Sequence, residues 1–445
     1  MIKKSLIIII LSILLGLFLY FRTSFDSQNN GARIIDRLPD AEYIGSSSLL
    51  DLAKETSPLL YFYKIKNRDL SSVEFLLAQA KNFGLNAQEK VYFFYDESGE
   101  GGLMFNVTDS TKVLLAIKNF NAKSPEKNKS QNKNTVFFSD QLKLNFHCGA
   151  DYLLLYSGKK FPEIVKRVSQ AKFNQESKLW KEYLSLKLYK NENTTVFATS
   201  KKIKDLGFDY ALFSHNSDSA NVYINGCLHN YKGLNPSMLK SGKGFVNNLE
   251  SNRSIELHID SKEVNTGKDF PFKSLLFEQG SKISFPTAAF LNAWGGEFSF
   301  SEGGKEIVKE RVIVSEMDED FNVFEVVKYN SVEVPKYSLM FNTNENGASF
   351  IKLLLKKGIL RPEGKYYRFL YSPLLKMVKN DNYYLFYSGE KEPTIDQCDE
   401  NKLYWEFWKT NCLFKIESMS RNDLFISAKI PAIRAIEKLK KVMKN

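Results

Sequence analysis

Two stretches of this chain read as copies of one unit, and a doubled unit restricts the possible folds more than any other feature. Leu103-Met104-Phe105-Asn106 is followed by a helical stretch, a strand pair, and then Asp151-Tyr152-Leu153-Leu154-Leu155-Tyr156-Ser157-Gly158. Leu339-Met340-Phe341-Asn342 is followed by another helical stretch and then Asp381-Asn382-Tyr383-Tyr384-Leu385-Phe386-Tyr387-Ser388-Gly389. Leu103 and Gly158 are 55 positions apart, and Leu339 and Gly389 are 50. The Lys/Asn-rich segment from Asn121 to Asn134 has no counterpart and absorbs the difference. Self-similarity over such a length implies a scaffold used twice.

Each copy has the order strand, strand, helix, then three strands. In the first, Val91 to Tyr95 and Leu103 to Val107 form a hairpin around Asp96 to Gly102, whose glycines supply positive φ. Asp109 caps a helix carrying Val113, Leu114 and Ile117, and strands follow at Val136–Phe138, Leu142–Phe146 and Tyr152–Tyr156. In the second, Phe321 to Tyr329 is set against Lys336 to Asn342 as a long hairpin. A helix over Ala348 to Lys357 and strands at Tyr366–Tyr371, Lys376–Lys379 and Tyr383–Tyr387 complete it. Helical spacing of Val73, Leu76, Leu77 and Ala80 marks Ser71 to Phe83, and a helix pair is expected over Phe161 to Tyr189.

The expected class is therefore α+β: two repeated, mainly antiparallel sheet-plus-helix modules flanking a β-rich middle region, preceded by one N-terminal transmembrane helix. The divisions are an anchor and tether at 1–32, a first module at 33–192 and the middle region at 193–283. A second module follows at 284–393, and a C-terminal extension at 394–445 ends in a basic amphipathic helix. There Ile433, Ile436, Leu439 and Met443 form a stripe flanked by Arg434, Lys438, Lys440, Lys441 and Lys444. It packs on its own domain or lies on anionic lipid.

The anchor rests on Met1-Ile2-Lys3-Lys4 followed by an apolar run from Leu6 to Phe21. Bulky Leu17 to Arg22 argues against a cleavage site, so an uncleaved anchor is preferred over a cleaved signal peptide. The expected location is the inner (cytoplasmic) membrane, spanned once by residues 6–21, with the body on the periplasmic side. In that oxidising compartment a Cys398–Cys412 bridge is one open possibility.

Composition supports a folded chain, with 43% hydrophobic and 25% charged residues. The 35 Phe and 22 Tyr favour pleated surfaces. The net charge of +11 comes from scattered lysines, with neither an arginine-rich recognition helix nor an aromatic RNA-binding signature. It reads as a solvated basic surface, and nucleic acid is not an expected partner.

Motifs for chemistry fail one by one. His147-Cys148 and Cys227-x-His229 could be halves of a metal site, yet adjacent His147 and Cys148 point to opposite faces of a strand. Asp318-Glu319-Asp320-Phe321-Asn322 imitates a calcium loop but has Val323 where glycine is needed and Tyr329 where glutamate is needed. Tyr156-Ser157-Gly158-Lys159-Lys160 and Ser241-Gly242-Lys243-Gly244 lack the spacing of a phosphate loop. No catalytic, cofactor-binding or metal residue is assigned, and no cofactor is expected.

Leu38-Pro39-Asp40-Ala41, Gly84-Leu85 leading into Val91-Tyr92-Phe93-Phe94, and the glycine-rich hairpin resemble uncharacterised domains of exported and lipid-anchored Bacteroidetes proteins. The resemblance runs from about Arg33 to Pro393 and implies an envelope location and a duplicated module, with no catalytic residue to carry over. The expected function is a membrane-tethered, extracytoplasmic envelope protein acting as a non-enzymatic binding or structural module, its partner another envelope protein or polymer. The alternatives are a carrier of a lipid or other apolar ligand, and a hydrolase using His147, His215 or His229 beside carboxylates.

Overall fold

Short runs of Val, Ile, Leu, Phe and Tyr that bury alternate side chains make strand the dominant element of this protein. The structure, a computed structural model, describes residues 34–54, 73–119, 136–139, 143–170, 178–186, 192–218, 221–234, 242–245, 251–260, 272–370, 372–389, 391–398, 401–407 and 410–431. A 3-10 turn at Ile34–Arg37 leads to β1 (Tyr43–Ser47), α1 (Val73–Phe83), β2 (Val91–Tyr95), β3 (Gly101–Asn106) and α2 (Ser110–Asn119). Next come β4 (Val136–Ser139), β5 (Leu144–Cys148), β6 (Tyr152–Ser157), α3 (Phe161–Ser169) and α4 (Lys178–Ser185). The first half ends with β7 (Thr194–Ala198), α5 (Lys201–Asp205), β8 (Tyr210–Ser217) and β9 (Asn221–His229).

The second half opens with β10 (Gly242–Phe245), β11 (Ser251–His258), α6 (Lys273–Lys282) and α7 (Thr287–Ala293). It continues through β12 (Trp294–Met317), β13 (Val323–Thr343), α8 (Gly347–Lys356), β14 (Leu360–Glu363), β15 (Tyr366–Phe369), β16 (Leu374–Asn380) and β17 (Tyr383–Tyr387). It closes with β18 (Ile395–Cys398), β19 (Asn401–Phe407), β20 (Thr410–Met419) and β21 (Asp423–Pro431).

Nineteen strands form one antiparallel sheet. Followed through their pairings, they run β4-β5-β6-β3-β2-β1-β7-β8-β9-β21-β20-β19-β11-β12-β13-β17-β16-β15-β14. Apart from β14, which has no counterpart, the two halves have the same internal order, and the register matches along a walk across them. Met104 lies opposite Tyr92 and Leu154, and Tyr92 opposite Ser46. From Ser46 the walk passes Thr195 and Ser214 to Asn225. Met340 lies opposite Ser299 and Leu385, and Ser299 opposite Glu256. From Glu256 the same walk passes Lys402 and Lys415 to Ser427. Asn225 and Ser427, the corresponding ends, are each other's partners. The halves therefore meet about a pseudo-two-fold axis through that pair, as in an isologous interface.

Helices flank the sheet on both faces of the first half. Met104, Leu154, Ile44 and Phe197 pack under α3 and α4 through Phe161, Val168, Trp180 and Tyr183. The opposite face buries Phe105, Phe146 and Leu153 against Val113 and Ile117 of α2. In the second half Phe341, Tyr384 and Phe386 pack against Leu291 of α7 and Phe350, Ile351 and Leu354 of α8. Its other face carries no helix among the described residues. Instead β10 and β18 pair into a separate two-stranded ribbon, with Phe245 and Ile395 packed on Met340 and Leu385.

Three expectations change, and one question left open is addressed. The α+β architecture gives way to one dominant antiparallel sheet, because Trp294–Met317, assigned no strand from the sequence, forms a long one, and residues 395–431 supply strands where an extension was expected. The proposed hairpin between Phe321–Tyr329 and Lys336–Asn342 is instead one strand, β13, paired with β12 throughout. Pro335 within this strand lies opposite Lys305, where no second strand pairs with the ribbon among the described residues, so its missing N–H breaks no ladder.

The single-pass inner-membrane placement with a transmembrane helix at residues 6–21 also falls. No helix among the described residues is long and apolar enough to cross a membrane, and residues 6–21 lie outside them. Sixteen residues would span only about 24 Å as a helix, short of a bilayer core of about 30 Å. Finally, Cys398 lies on β18 and Cys412 on β20, and no disulfide joins them. The amphipathic stripe from Ile433 to Met443 lies outside the described residues.

Candidate functional site

The departure from internal symmetry is greatest between β12 and β13. Where the first half turns in residues 96–100, the second spends residues 303–336 on a projecting arm. Its sequence alternates as a strand does: Val312, Val314, Phe324 and Val326 on one face, Ile313, Met317, Val323 and Val327 on the other. β11 accompanies β12 only as far as Gly303, and β17 accompanies β13 only from Ser338 inward. The thirteen pairs from Lys305–Pro335 to Met317–Val323 thus leave the sheet as a two-stranded ribbon about 40 Å long.

The outer half of this arm is apolar on both faces, and Ile313, Met317, Val323, Phe324, Val327 and Tyr329 are exposed. Exposure reaches 81% at Phe321 on the tip. The tip is closed by Asp318. Its carboxylate accepts from the Asp320 amide at 3.0 Å, the Asn322 amide at 2.8 Å and the Asn322 side chain at 3.1 Å. These bonds, the Asn322 amide foremost, hold the Asp318 carboxyl below its ordinary range. The calcium-loop imitation is thereby explained: the carboxylate is spent on its own turn. Exposed ion pairs Lys305–Glu333 and Lys328–Glu316 bridge the strands and add little stability.

A second constellation lies beneath the β10–β18 ribbon. Glu256 and His258 share one face of β11, and their neighbours on β12 are Ser299 and Glu297. All four are buried, with Asn342 and Asn401 beside them. Glu297 is fully engaged: it accepts from the Lys243 amide at 2.8 Å, the Asn342 side chain at 2.7 Å and the Tyr383 hydroxyl. Asn401 accepts from the His258 amide at 2.6 Å. By contrast, Glu256 Oε2 and both ring nitrogens of His258 make no hydrogen bond among the described residues. Burial pushes the Glu256 carboxyl up to about 7, partly opposed by the Ser299 hydroxyl, the Phe245 amide and the Lys402 charge. Burial also lowers His258, against the pull of Glu297.

The ribbon lies this close because β10 carries two glycines. A Cβ at Gly242 would sit 2.2 Å from His258 Nδ1, and one at Gly244 2.7 Å from Glu256 Oε2. Cys398, opposite Gly242 on β18, completes a group whose donor atoms lie within 4.8 Å of one another. Beside it a hollow of about 270 Å³ is lined by Lys243, Tyr383, Ile395, Asp396 and Gln397.

Residues singled out by sequence go elsewhere. His147 and Cys148 lie on β5 and Cys227 and His229 on β9, with six strands between them, so no joint metal site forms. His147 Nε2 and the Tyr152 hydroxyl are 2.8 Å apart. His229 Nδ1 pairs with Asp423 at 2.7 Å and stacks on Tyr210. That dyad has no activated nucleophile: burial and the nearby Asp423 push the Cys227 thiol up to about 12. The Cys148 thiol is pushed up to about 11 by burial alone. Tyr156-Ser157-Gly158 ends β6, where Glu100 accepts from the Lys159 amide at 2.9 Å and from Tyr156. Gly242 and Gly244 make room over the buried cluster rather than cradling a phosphate.

No described protein family and no curated protein sequence matches the chain. Solved structures similar to it include crystal forms III and I of the protein TP0453. Form III shares 9% identity at a TM-score of 0.29, covering 45% of this chain and 81% of that one. Form I shares 10% at 0.28, covering 45% and 80%. Superpositions this loose carry neither a fold nor a function across.

Proposed function

We propose that this protein is a non-enzymatic binding module whose working element is the arm at 303–336, and that the arm of one copy docks on the body of a second copy. The observation that carries this reading is the outer half of the arm, which has apolar side chains on both faces and no further strand paired to it among the described residues. A free two-stranded ribbon is marginal in water, so cover on both faces would stabilise it. Charge favours the chain itself as that cover. The arm holds eight acidic against five basic residues, net −3, within a chain of net +11. For an arm of net −3, a second body offers the opposite sign.

The test uses internal symmetry as a design. Residues 96–100 of the first half, grafted between Glu302 and Tyr337, replace the arm with a turn already used at the corresponding place. Sedimentation of the full chain is expected to show salt-sensitive self-association, and the grafted variant is expected to sediment as a monomer. Equal behaviour of the two proteins sinks the reading.

A second reading has its own observation. A hollow of about 360 Å³ spans the junction of the halves, lined by Phe213 and Ile224 from one side and Ile416, Ile426 and Ala428 from the other. Carriage of an apolar ligand there predicts a copurifying lipid in native mass spectrometry, lost when Ala428 is changed to Trp. A ligand-free spectrum rejects it.

A further inference from the structure

We propose that Glu256, His258 and Cys398 bind one divalent transition-metal ion of the zinc class. Zinc-class ions accept imidazole nitrogen, thiolate sulfur and carboxylate oxygen together, whereas magnesium and calcium take oxygen donors and not the nitrogen or sulfur. The donors lie within 4.8 Å of one another, and His258 Nε2 stands 3.9 Å from Glu256 Oε2. That separation is too long for a hydrogen bond. A tetrahedral ion with bonds of about 2.0 Å to nitrogen and oxygen and about 2.3 Å to sulfur sets its donors about 3.5 Å apart. Side-chain rotation of about an ångström closes the set.

Burial supplies an independent reason to expect a ligand. The side chains of His258 and Glu256 are 0% and 3% exposed, and their unpaired atoms converge under the ribbon. Leaving buried polar groups unsatisfied is costly, which is why native proteins rarely do so. The corresponding place in the first half shows the ordinary solution. There Ser46 replaces Glu256 and its hydroxyl lies 2.9 Å from that of Tyr183, under a helix rather than a ribbon. In the second half a carboxylate and an imidazole stand where hydroxyls sufficed, and a glycine-bearing strap brings a thiol to them. Three protein donors leave a fourth position for water.

The charged surroundings are mixed. Glu297 favours a cation at His258, and Lys402 disfavours one. Because Glu297 is held by Lys243, Asn342 and Tyr383 and makes no hydrogen bond to the ring, it acts on His258 by its field.

The experiment is titration of the chelator-stripped full chain with cobalt(II). Uptake of one ion per chain is expected, with the intense visible bands of tetrahedral cobalt and a near-ultraviolet thiolate-to-cobalt band, both erased by added zinc. Cys398→Ser, on the surface ribbon, should lose the thiolate band while its circular dichroism is unchanged. Loss of an outer-shell partner typically weakens a site about 10–100-fold, so His258→Gln should weaken it by more than that. Failure of the folded chain to take up cobalt, or an unaltered spectrum in Cys398→Ser, overturns the proposal. The arm-graft variant should bind cobalt as the parent does, so the outcomes for arm and metal are separable.

Discussion

Replacing Trp180 with alanine is expected to destabilise the protein by about 3–5 kcal/mol, the range for emptying a large aromatic site. Trp180 lies on α4 with 0% exposure. It packs edge-on against Tyr92 of β2 and Tyr183 of its own helix. Its indole also donates to the Pro39 carbonyl at 2.6 Å, tying the segment before β1 to the helix. Truncation removes the packing and leaves that carbonyl alone. Tyr183, one turn on, lies within hydrogen-bond reach of Ser46 and Thr195 on the sheet, so a shift of α4 disturbs a buried polar network as well. Urea unfolding measures the loss. Trp180→Phe, which keeps a ring but not the donor, should lose roughly 1–2 kcal/mol. A Trp180→Ala loss below about 1 kcal/mol would show that α4 does not anchor the first half as described.

The second large effect is a dependence on pH that one carboxyl imposes on the metal-free protein. Burial raises Glu256 from its ordinary 4.5 to about 7. The folded state then holds a proton that the unfolded state releases. Glu256 therefore contributes its full stability below about pH 4.5 and loses it as pH rises through about 7. The difference corresponds to about 3 kcal/mol. His258 works with the opposite sign: its folded value is lowered, so its contribution is present above its ordinary 6.5 and lost as pH falls. Lys402 draws Glu256 toward ionisation but does not overcome the burial. Comparing parent with Glu256→Gln isolates the carboxyl. In chelator-containing buffer the variant should gain on the parent by about 3 kcal/mol between pH 4.5 and pH 8. Parallel stability curves would exclude a buried, protonated Glu256.

How far the sequence disclosed these features follows from where its residues sit. Leu-Met-Phe-Asn is conspicuous twice because β3 and β13 are internal strands with apolar packing on each face. Met104 and Met340 fill one side, and Phe105 and Phe341 face the other. Strands β7 to β9 and β19 to β21 also correspond, but Ser46, Thr195 and Ser214 face Glu256, Lys402 and Lys415 across the symmetry, so pairing survives without any shared letters. The arm was obscured by Pro335 and by an acidic tip that resembles a turn between separate elements. The buried cluster had one local sign, Glu256 and His258 two apart on a strand-like run. Its third member is 140 positions further along and arrives only because β18 pairs with β10. No local periodicity reports such a pairing.

In an assembly of identical subunits, a substitution on one side of the dyad is imposed on the other. Here the partners across Asn225 and Ser427 belong to one polypeptide, so each flank is free to specialise alone. The long arm and the thiol-bearing strap both lie on the same flank. The other flank, where a tight turn and packed helices occupy those positions, is left to serve as ballast for its more elaborate twin.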